Sequence, residues 1–341
     1  MKIAGKQHIL ENETVEVIAP ARLHLGFMDM HGGMGRSYGS LGLCLSEICT
    51  RLTARNAEDL TVKGPSSDRA LRYAERTLAH FDIESGVEIT IDKAIPEHAG
   101  LGSGTQLSLA VATAITRLFD LDTTICELAS LHQRGARSGI GVGTFSMGGF
   151  LVDGGLGKDT DIPPIISHND FPQEWRILLI FDKQMQGVSG SLERVAFRQL
   201  PPMDERVSQT LCRLVLMQVL PALVEQDCKL FGEAITTIQE MVGDHFADVQ
   251  GGRFSSPRLI RVLPWLTGQG ATGVGQSSWG PTGFALFANE TEAFQVLRYA
   301  REYWQDEPEL EFMLCKARNS KASIAKISEN STHDKLQMKS L

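Results

Sequence analysis

Between Ile95 and Leu107 the chain reads I-P-E-H-A-G-L-G-S-G-T-Q-L, and this run carries the clearest chemistry in the sequence. Gly100, Gly102 and Gly104 let the main chain approach an anion with no Cβ in the way, and Ser103 and Thr105 add hydroxyls. The alternating run before it, Val87 to Ile91, reads as a strand, and the small-residue run after it, Leu107 to Ile115, as a helix. A glycine turn that opens a helix aims successive N–H groups at one spot and adds the positive end of the helix dipole. That suits a phosphate or pyrophosphate. Gly100, Leu101, Gly102, Ser103, Gly104 and Thr105 are therefore the expected phosphate-binding residues. The plain alternative is a strand–turn–helix whose glycines serve packing alone.

Stepping outward, 341 residues exceed what one small core needs, so two lobes are expected. A net charge of −8 argues against a general nucleic-acid surface and leaves room for local basic pockets. No apolar run of bilayer length is evident, and no apolar segment follows Met1-Lys2-Ile3, so neither a membrane span nor a secretory signal is expected. The six cysteines form no C-x-x-C pair and lie mostly in apolar surroundings, as buried free thiols of a cytoplasmic protein would.

Periodicity places strands at Thr14–Pro20, Leu43–Ala54, Val87–Ile91, Thr144–Val152 and Trp175–Phe181, with a long glycine-rich segment from Gly26 to Gly42. Helices are expected over Asp68–Phe81, after the glycine turn to about Phe119, and over Thr123–Gln133 behind a threonine cap. The second half reads as helices Val207–Leu220, Glu225–Val242 and Pro257–Leu266, then strands Gly283–Ala288 and Leu310–Leu314 around a helix Thr291–Tyr303. Segregation of this kind suggests an α+β lobe packed on the first. The expected divisions are 1–165, 166–316 and a disordered tail, 317–341.

Three segments together resemble the GHMP kinase superfamily: Pro20-Ala-Arg-Leu-His-Leu-Gly26, the glycine turn, and Gly273-Val-Gly-Gln-Ser-Ser-Trp-Gly-Pro281. The details depart from its kinases. Gly141 stands where a catalytic aspartate would, and Gly104 where a second serine would lie near magnesium. Longer runs are similar to a non-kinase branch, the β-ribofuranosylaminobenzene 5′-phosphate synthases: Ala19 to Asp29, Arg36, Tyr38 to Gly42, Arg134 to Gly141, Val188-Ser-Gly190 and Gly275 to Pro281. The paired acids followed by T-G-G-T that common phosphoribosyltransferases use are missing.

The resemblance implies a two-lobed GHMP kinase-like α+β fold, an N-terminal α/β lobe with the phosphate loop and a C-terminal ferredoxin-like lobe. It implies condensation of phosphoribosyl pyrophosphate with 4-aminobenzoate or 4-hydroxybenzoate, with loss of CO2 and pyrophosphate, for methanopterin-type cofactor synthesis. It also implies Mg2+ shared between phosphate oxygens, no organic cofactor, and a homodimer. The alternatives are an ATP-dependent kinase or a catalytically silent ligand sensor. In the synthase reading Asp29 handles a metal ion or a substrate proton, and Arg36 pairs with a phosphate or the carboxylate. A salt bridge between the two is the structural alternative. Thr105 is the other candidate metal ligand. Arg22 and His24 belong to the substrate-binding set, one of His24, His31 and His98 serving as phosphate donor or proton shuttle. Arg134 and Arg137 read as a 5-phosphate or carboxylate clamp, or else as a solvated helix end. Ser189 and Gly190 offer a further anion site or simple capping. Gln276, Ser277 and Ser278 offer hydrogen bonds, and Trp279 a stacking platform or a core aromatic.

Overall fold

The computed structural model describes residues 13–187, 195, 197 and 200–328. The first lobe is built on a long hairpin, β1 (Glu13–Asp29) and β2 (Arg36–Ala57). The expected glycine-rich loop from Gly26 to Gly42 is thus mostly strand, with a turn only at 30–35. β3 (Thr61–Lys63), α1 (Ser67–His80), β4 (Gly86–Lys93), α2 (Ser103–Leu118) and α3 (Ile125–Leu131) follow. Thr124 caps α3 in a reciprocal capping box with Glu127, as its sequence predicts. Next come α4 (Ile140–Ser146), β5 (Phe150–Asp153), β6 (Leu156–Gly157) and β7 (Ile165–Asn169). The expected strand Thr144–Val152 is therefore the end of a helix and the start of a strand, divided by Gly148 and Gly149 at φ +77° and +73°.

The second lobe comprises β8 (Arg176–Asp182), a continuous helix α5 (Glu205–Glu225) with a π-turn at Val215–Val219, α6 (Cys228–Gln250), α7 (Leu259–Gly268), β9 (Gly273–Gln276), β10 (Gly283–Phe287), α8 (Glu290–Tyr303) and β11 (Leu310–Cys315). Its antiparallel sheet runs β11-β8-β10-β9, the ferredoxin-like order. α5 is long and apolar enough to cross a bilayer, contrary to the sequence reading. Leu211, Val215, Val219 and Leu223 nevertheless bury one face of it in the core.

Two expectations about boundaries fail. β7 pairs with β5, so the first sheet continues past 165 to Asn169. The tail does not begin at 317: β12 (Ser323–Ser328) returns to the first lobe and pairs antiparallel with β1, Glu13 opposite Ser328. A polar segment without periodicity is readily stabilised as an edge strand, because the backbone ladder makes the contacts. Residues 329–341 lie outside the described part.

β1 serves two cores. Val15, Val17 and Ala19 pack with α1 and α2, whereas Leu23, Leu25 and Phe27 pack with α6. The switch coincides with a register shift between Pro20 and Arg22. Such an irregularity re-aims side chains, and here it turns Arg22 toward the glycine turn, where its N–H donates to the Leu101 carbonyl at 3.1 Å.

Candidate active site

The glycine turn is held from three directions. Gly100 and Gly102 have φ of +73° and +83°, the left-handed region that glycine enters without cost. A Cβ on Gly100 would stand 2.3 Å from the Ser277 carbonyl oxygen. The Gly100 carbonyl accepts from Arg22 Nη1 and, at 2.7 Å, from Ser277 Oγ. Ser277 Oγ also accepts from His24 N–H at 3.0 Å, so one hydroxyl ties β1, the turn and the C-terminal lobe together. Leu101 is buried and anchors the turn in the core. Gly102 then caps α2 with no side chain over the helix end. The backbone N–H groups of the first helical turn have no intrahelical partner, and they open on a cavity of ≈ 740 Å³.

Gly100, Gly102, Ser103, Gly104 and Thr105 line this cavity together with Arg22, Arg134, Ser278 and Trp279. Its other wall comes from α1 and the strap before the turn: Ser66, Arg69, Arg72, Tyr73, Glu97 and His98. Apart from His98, the sequence reading missed this wall, although Arg69 and Tyr73 at i and i+4 share a helix face. Glu97 pairs with Arg69 at 2.9 Å and accepts from Ser66 Oγ. Burial opposes its charge, but those hydrogen bonds outweigh burial and hold its carboxyl below the usual range.

A second, small cavity of ≈ 20 Å³ lies behind Trp279, lined by His24, Gly26, Gln239, Phe246, Gln250 and Arg253 among others. Trp279 is 4% exposed, with ring centroids of Phe246 and Phe197 at 4.4 and 5.3 Å. It is a core aromatic that also borders both cavities. His24 is buried, and burial first, then the neighbouring Arg22 and Arg137, lower its pKa to about 3. It is a neutral imidazole at physiological pH, and its buried Nε2 finds no hydrogen-bond partner among the described residues.

Several expected site residues are placed elsewhere. Asp29 Oδ1 accepts the N–H groups of His31 and Gly32 at 2.9 and 3.1 Å, closing the β1–β2 turn. Arg36 donates to the carbonyls of Gly154 and Gly155 at 2.7 and 2.8 Å. Neither lines the phosphate cavity, and the ion pairs among the described residues do not join one to the other. Arg134 and Arg137 are not one clamp: Arg134 lines the cavity, while the Arg137 guanidinium lies 4.4 Å from the Phe197 ring centroid. Gln276 Oε1 accepts from Ser255 N–H and hydroxyl, and its N–H donates to Gln239, so it braces the loop. His31 Nδ1 lies 2.9 Å from the Met203 carbonyl. Ser189 and Gly190 lie outside the described residues.

Asp153 is the other residue that the sequence did not single out. Fully buried, its carboxylate accepts from the N–H groups of Ser40, Gly139 and Gly155 at 3.1, 2.8 and 3.0 Å and fixes the loop before α4. Burial raises its pKa against those hydrogen bonds. The α4 opening in turn crowds α2: a Cβ on Gly141 would lie 3.1 Å from Thr105 Cγ2. A side chain at 141, where the resemblance places the kinases' aspartate, would thus press on Thr105.

A glycine turn opening a buried helix, a hairpin core and a ferredoxin-like second lobe define a GHMP kinase-type protein. The family models "GHMP kinases N terminal domain" and "GHMP kinases C terminal" match residues 68–149 and 219–306. The fold is similar to mevalonate kinase of L. major, with a TM-score of 0.67 at 16% identity over 90% of this chain and 96% of that one. It is also similar to homoserine kinase of Cytophaga hutchinsonii, with a TM-score of 0.63 at 16% identity over 92% and 97%. Sequence similarity is stronger outside the kinases. β-Ribofuranosylphenol 5′-phosphate synthase of Archaeoglobus fulgidus is 34% identical over 319 residues, 89% of this chain and 97% of the relative. The protein of the same name from Methanothermobacter thermautotrophicus is 32% identical over 289 residues, 78% and 87%. The chain belongs to the β-ribofuranosylphenol 5′-phosphate synthase family of the GHMP kinase superfamily.

Proposed function

We propose that this protein condenses phosphoribosyl pyrophosphate with 4-hydroxybenzoate, or with 4-aminobenzoate, releasing CO2 and pyrophosphate for tetrahydromethanopterin-type cofactor synthesis. The observation that carries the reading is the phosphate cavity: free N–H groups at the start of α2 face a wall of arginines. The archaeal relatives are named for a ribofuranosylphenol product, which favours the hydroxyl-bearing acceptor. Glycine at 141, which offers no carboxylate where the kinases' aspartate is expected, weighs against the kinase alternative.

In this reading the C1–O bond of the donor breaks and pyrophosphate leaves with the electron pair. Preorganised N–H donors and guanidiniums stabilise the charge that develops on it. The arene carbon bearing the carboxylate attacks the oxocarbenium-like C1. The C–C bond to the carboxylate then breaks, and its electrons restore the aromatic ring as CO2 departs. A para hydroxyl or amino group pushes electrons to that carbon. No enzyme nucleophile is needed, so positioning provides most of the catalysis.

The donor set does not fit a magnesium ion held by protein ligands alone. No cluster of three His, Cys, Asp or Glu side chains occurs among the described residues. Asp29 Oδ1 is already bonded to backbone N–H groups away from the cavity. Thr105 reaches the cavity as a lone hydroxyl, and Glu97 is paired with Arg69. A homodimer is part of the proposal, supported by the exposed Leu216, Met217 and Val224 on α5. So is a cytoplasmic location, supported by six free cysteines; two of them, Cys126 and Cys212, are exposed rather than buried as expected.

The test is release of labelled CO2 from carboxyl-labelled 4-hydroxybenzoate or 4-aminobenzoate in the presence of phosphoribosyl pyrophosphate and magnesium. Release dependent on the sugar donor supports the synthase, and the faster arene names the acceptor. Absence of release from both, with ATP turnover on a small alcohol, would return the protein to the kinases.

A further inference from the structure

The glycine turn accounts for only one side of the phosphate cavity. Facing it, Tyr73 of α1 accepts a hydrogen bond from Arg134 Nη2, and the Arg134 guanidinium lies 5.4 Å from the Tyr73 ring centroid. Arg69, one helical turn before Tyr73, is fixed at its other end by Glu97 at 2.9 Å. A Cβ built on Gly104 would meet Arg69 Nη2 at 2.9 Å and Arg134 Nη1 at 3.4 Å. Both guanidiniums therefore stand directly over the first turn of α2. An anion held by the N–H groups of that turn would lie within reach of both.

Behind Tyr73 the arrangement is stiff. His132 is buried, its ring centroid lies 5.2 Å from that of Tyr73 in an edge contact, and its Nε2 lies 3.1 Å from Thr77 Oγ1. The other end of the cavity is different. There Arg22 packs along Gly102, with Ser278 and Trp279 beside it. The α2 N-terminus lies between the two sides: one gathers Arg69, Arg72 and Arg134, with Glu97 paired to Arg69, while the other offers Arg22 alone. A diphosphate carries more charge than a phosphomonoester, so it belongs at the richer end.

Resting on the function proposed above, we propose that Arg69, Tyr73 and Arg134 form the second jaw of a diphosphate clamp closing on the α2 turn. The donor then lies with its pyrophosphate against α1 and its 5-phosphate toward Arg22 and Ser278. That directs C1 and its aryl acceptor toward Trp279. Arg69 and Arg134 touch the leaving group. Tyr73 is a positioning residue that acts through Arg134.

The experiment compares wild type, Tyr73→Phe and Arg134→Lys by calorimetric titration with two probes, inorganic pyrophosphate and ribose 5-phosphate, alongside thermal melts. Tyr73→Phe keeps the ring and removes only the acceptor oxygen. The expected result is pyrophosphate binding weakened about 5- to 10-fold in both variants. Ribose 5-phosphate binding stays within about 2-fold, the arene KM is unchanged, and Tm moves little. A merely structural role would weaken both probes together, and that outcome overturns the clamp. The reverse pattern overturns the orientation, and unchanged titrations overturn both. If Tyr73→Phe melts early, Arg134→Lys alone decides. Should the expected pattern appear while wild type turns over no aryl acceptor, the clamp stands and the synthase reading fails.

Discussion

Gly104→Ala separates stability from function. Gly104 is the second residue of α2 and has ordinary helical φ, so alanine brings no backbone strain and gains up to about 1 kcal/mol of helix propensity. Its new methyl group would press on Arg69 Nη2 at 2.9 Å and Arg134 Nη1 at 3.4 Å, the far ends of two flexible side chains. They swing away, and Arg69 loosens from Glu97, a partly exposed pair worth about 1 kcal/mol or less. The stability terms nearly cancel, and Tm should stay within about 3 °C of wild type. Donor binding does not cancel. Displacing a charge-assisted contact to the leaving group costs about 1.5–3 kcal/mol, or roughly a 10- to 100-fold rise in the KM for phosphoribosyl pyrophosphate. Initial rates at saturating arene, with a differential scanning melt of the same sample, measure both quantities. An unchanged donor KM would refute the placement of the leaving group at this turn. A Tm drop beyond about 6 °C would refute the claim that the two side chains can yield.

Gly100→Ala should behave in the opposite way, because its Cβ meets backbone at 2.3 Å and φ is positive; chemical denaturation should show a loss of about 3 kcal/mol or more. Ser277→Ala removes the hydroxyl joining β1, the glycine turn and the C-terminal loop, and should cost about 1–3 kcal/mol on the same assay. The buried His24 has a folded pKa of about 3 against 6.5 unfolded, so between these values the unfolded chain binds the extra proton. Stability from this group is therefore full above pH 6.5 and falls by up to about 1.4 kcal/mol per unit as pH drops toward 3. His24→Asn should flatten the urea-midpoint profile between pH 6.5 and 5, and an unchanged slope would contradict the burial argument. Asp153→Ala leaves three backbone N–H groups without their acceptor and should cost about 3–5 kcal/mol by urea titration, a loss under 1 kcal/mol counting against its role in the loop.

What the sequence made legible was local. The turn at Gly100–Thr105 combines strand, glycines and helix within 30 residues, and the cap at Thr124 lies three residues from its partner Glu127. The C-terminal helices and strands β8, β10 and β11 were readable for the same reason, whereas β9 read as a glycine loop and β12 as tail. Illegible features depend on partners far along the chain. Asp29 and Arg36 looked like catalytic groups because their types suit anion and metal chemistry, yet Asp29 accepts from the backbone N–H groups at 31–32 and Arg36 donates to the carbonyls at 154–155. Nothing in the sequence sets Arg69 and Tyr73 apart on their helix, and only the fold brings the glycine turn against the Arg69 side chain. Asp153 reads as an ordinary strand end, and only the fold surrounds it with N–H donors.

The return of β12 to β1 sets an order of events during synthesis. The ladder from Glu13–Ser328 to Ile18–Ser323 joins the first described residues to the last. Until residue 328 has left the ribosome, β1 is the unpaired border of a sheet whose other strands have all been made by Asn169. Such a border is a template for pairing with another chain, and closing it requires one of the longest loops in the molecule. The first lobe, which contains the whole glycine turn, thus waits for the second before its sheet is sealed. Nascent chains halted before residue 323 should be captured by chaperones or pair with one another, and extension past 328 should end both.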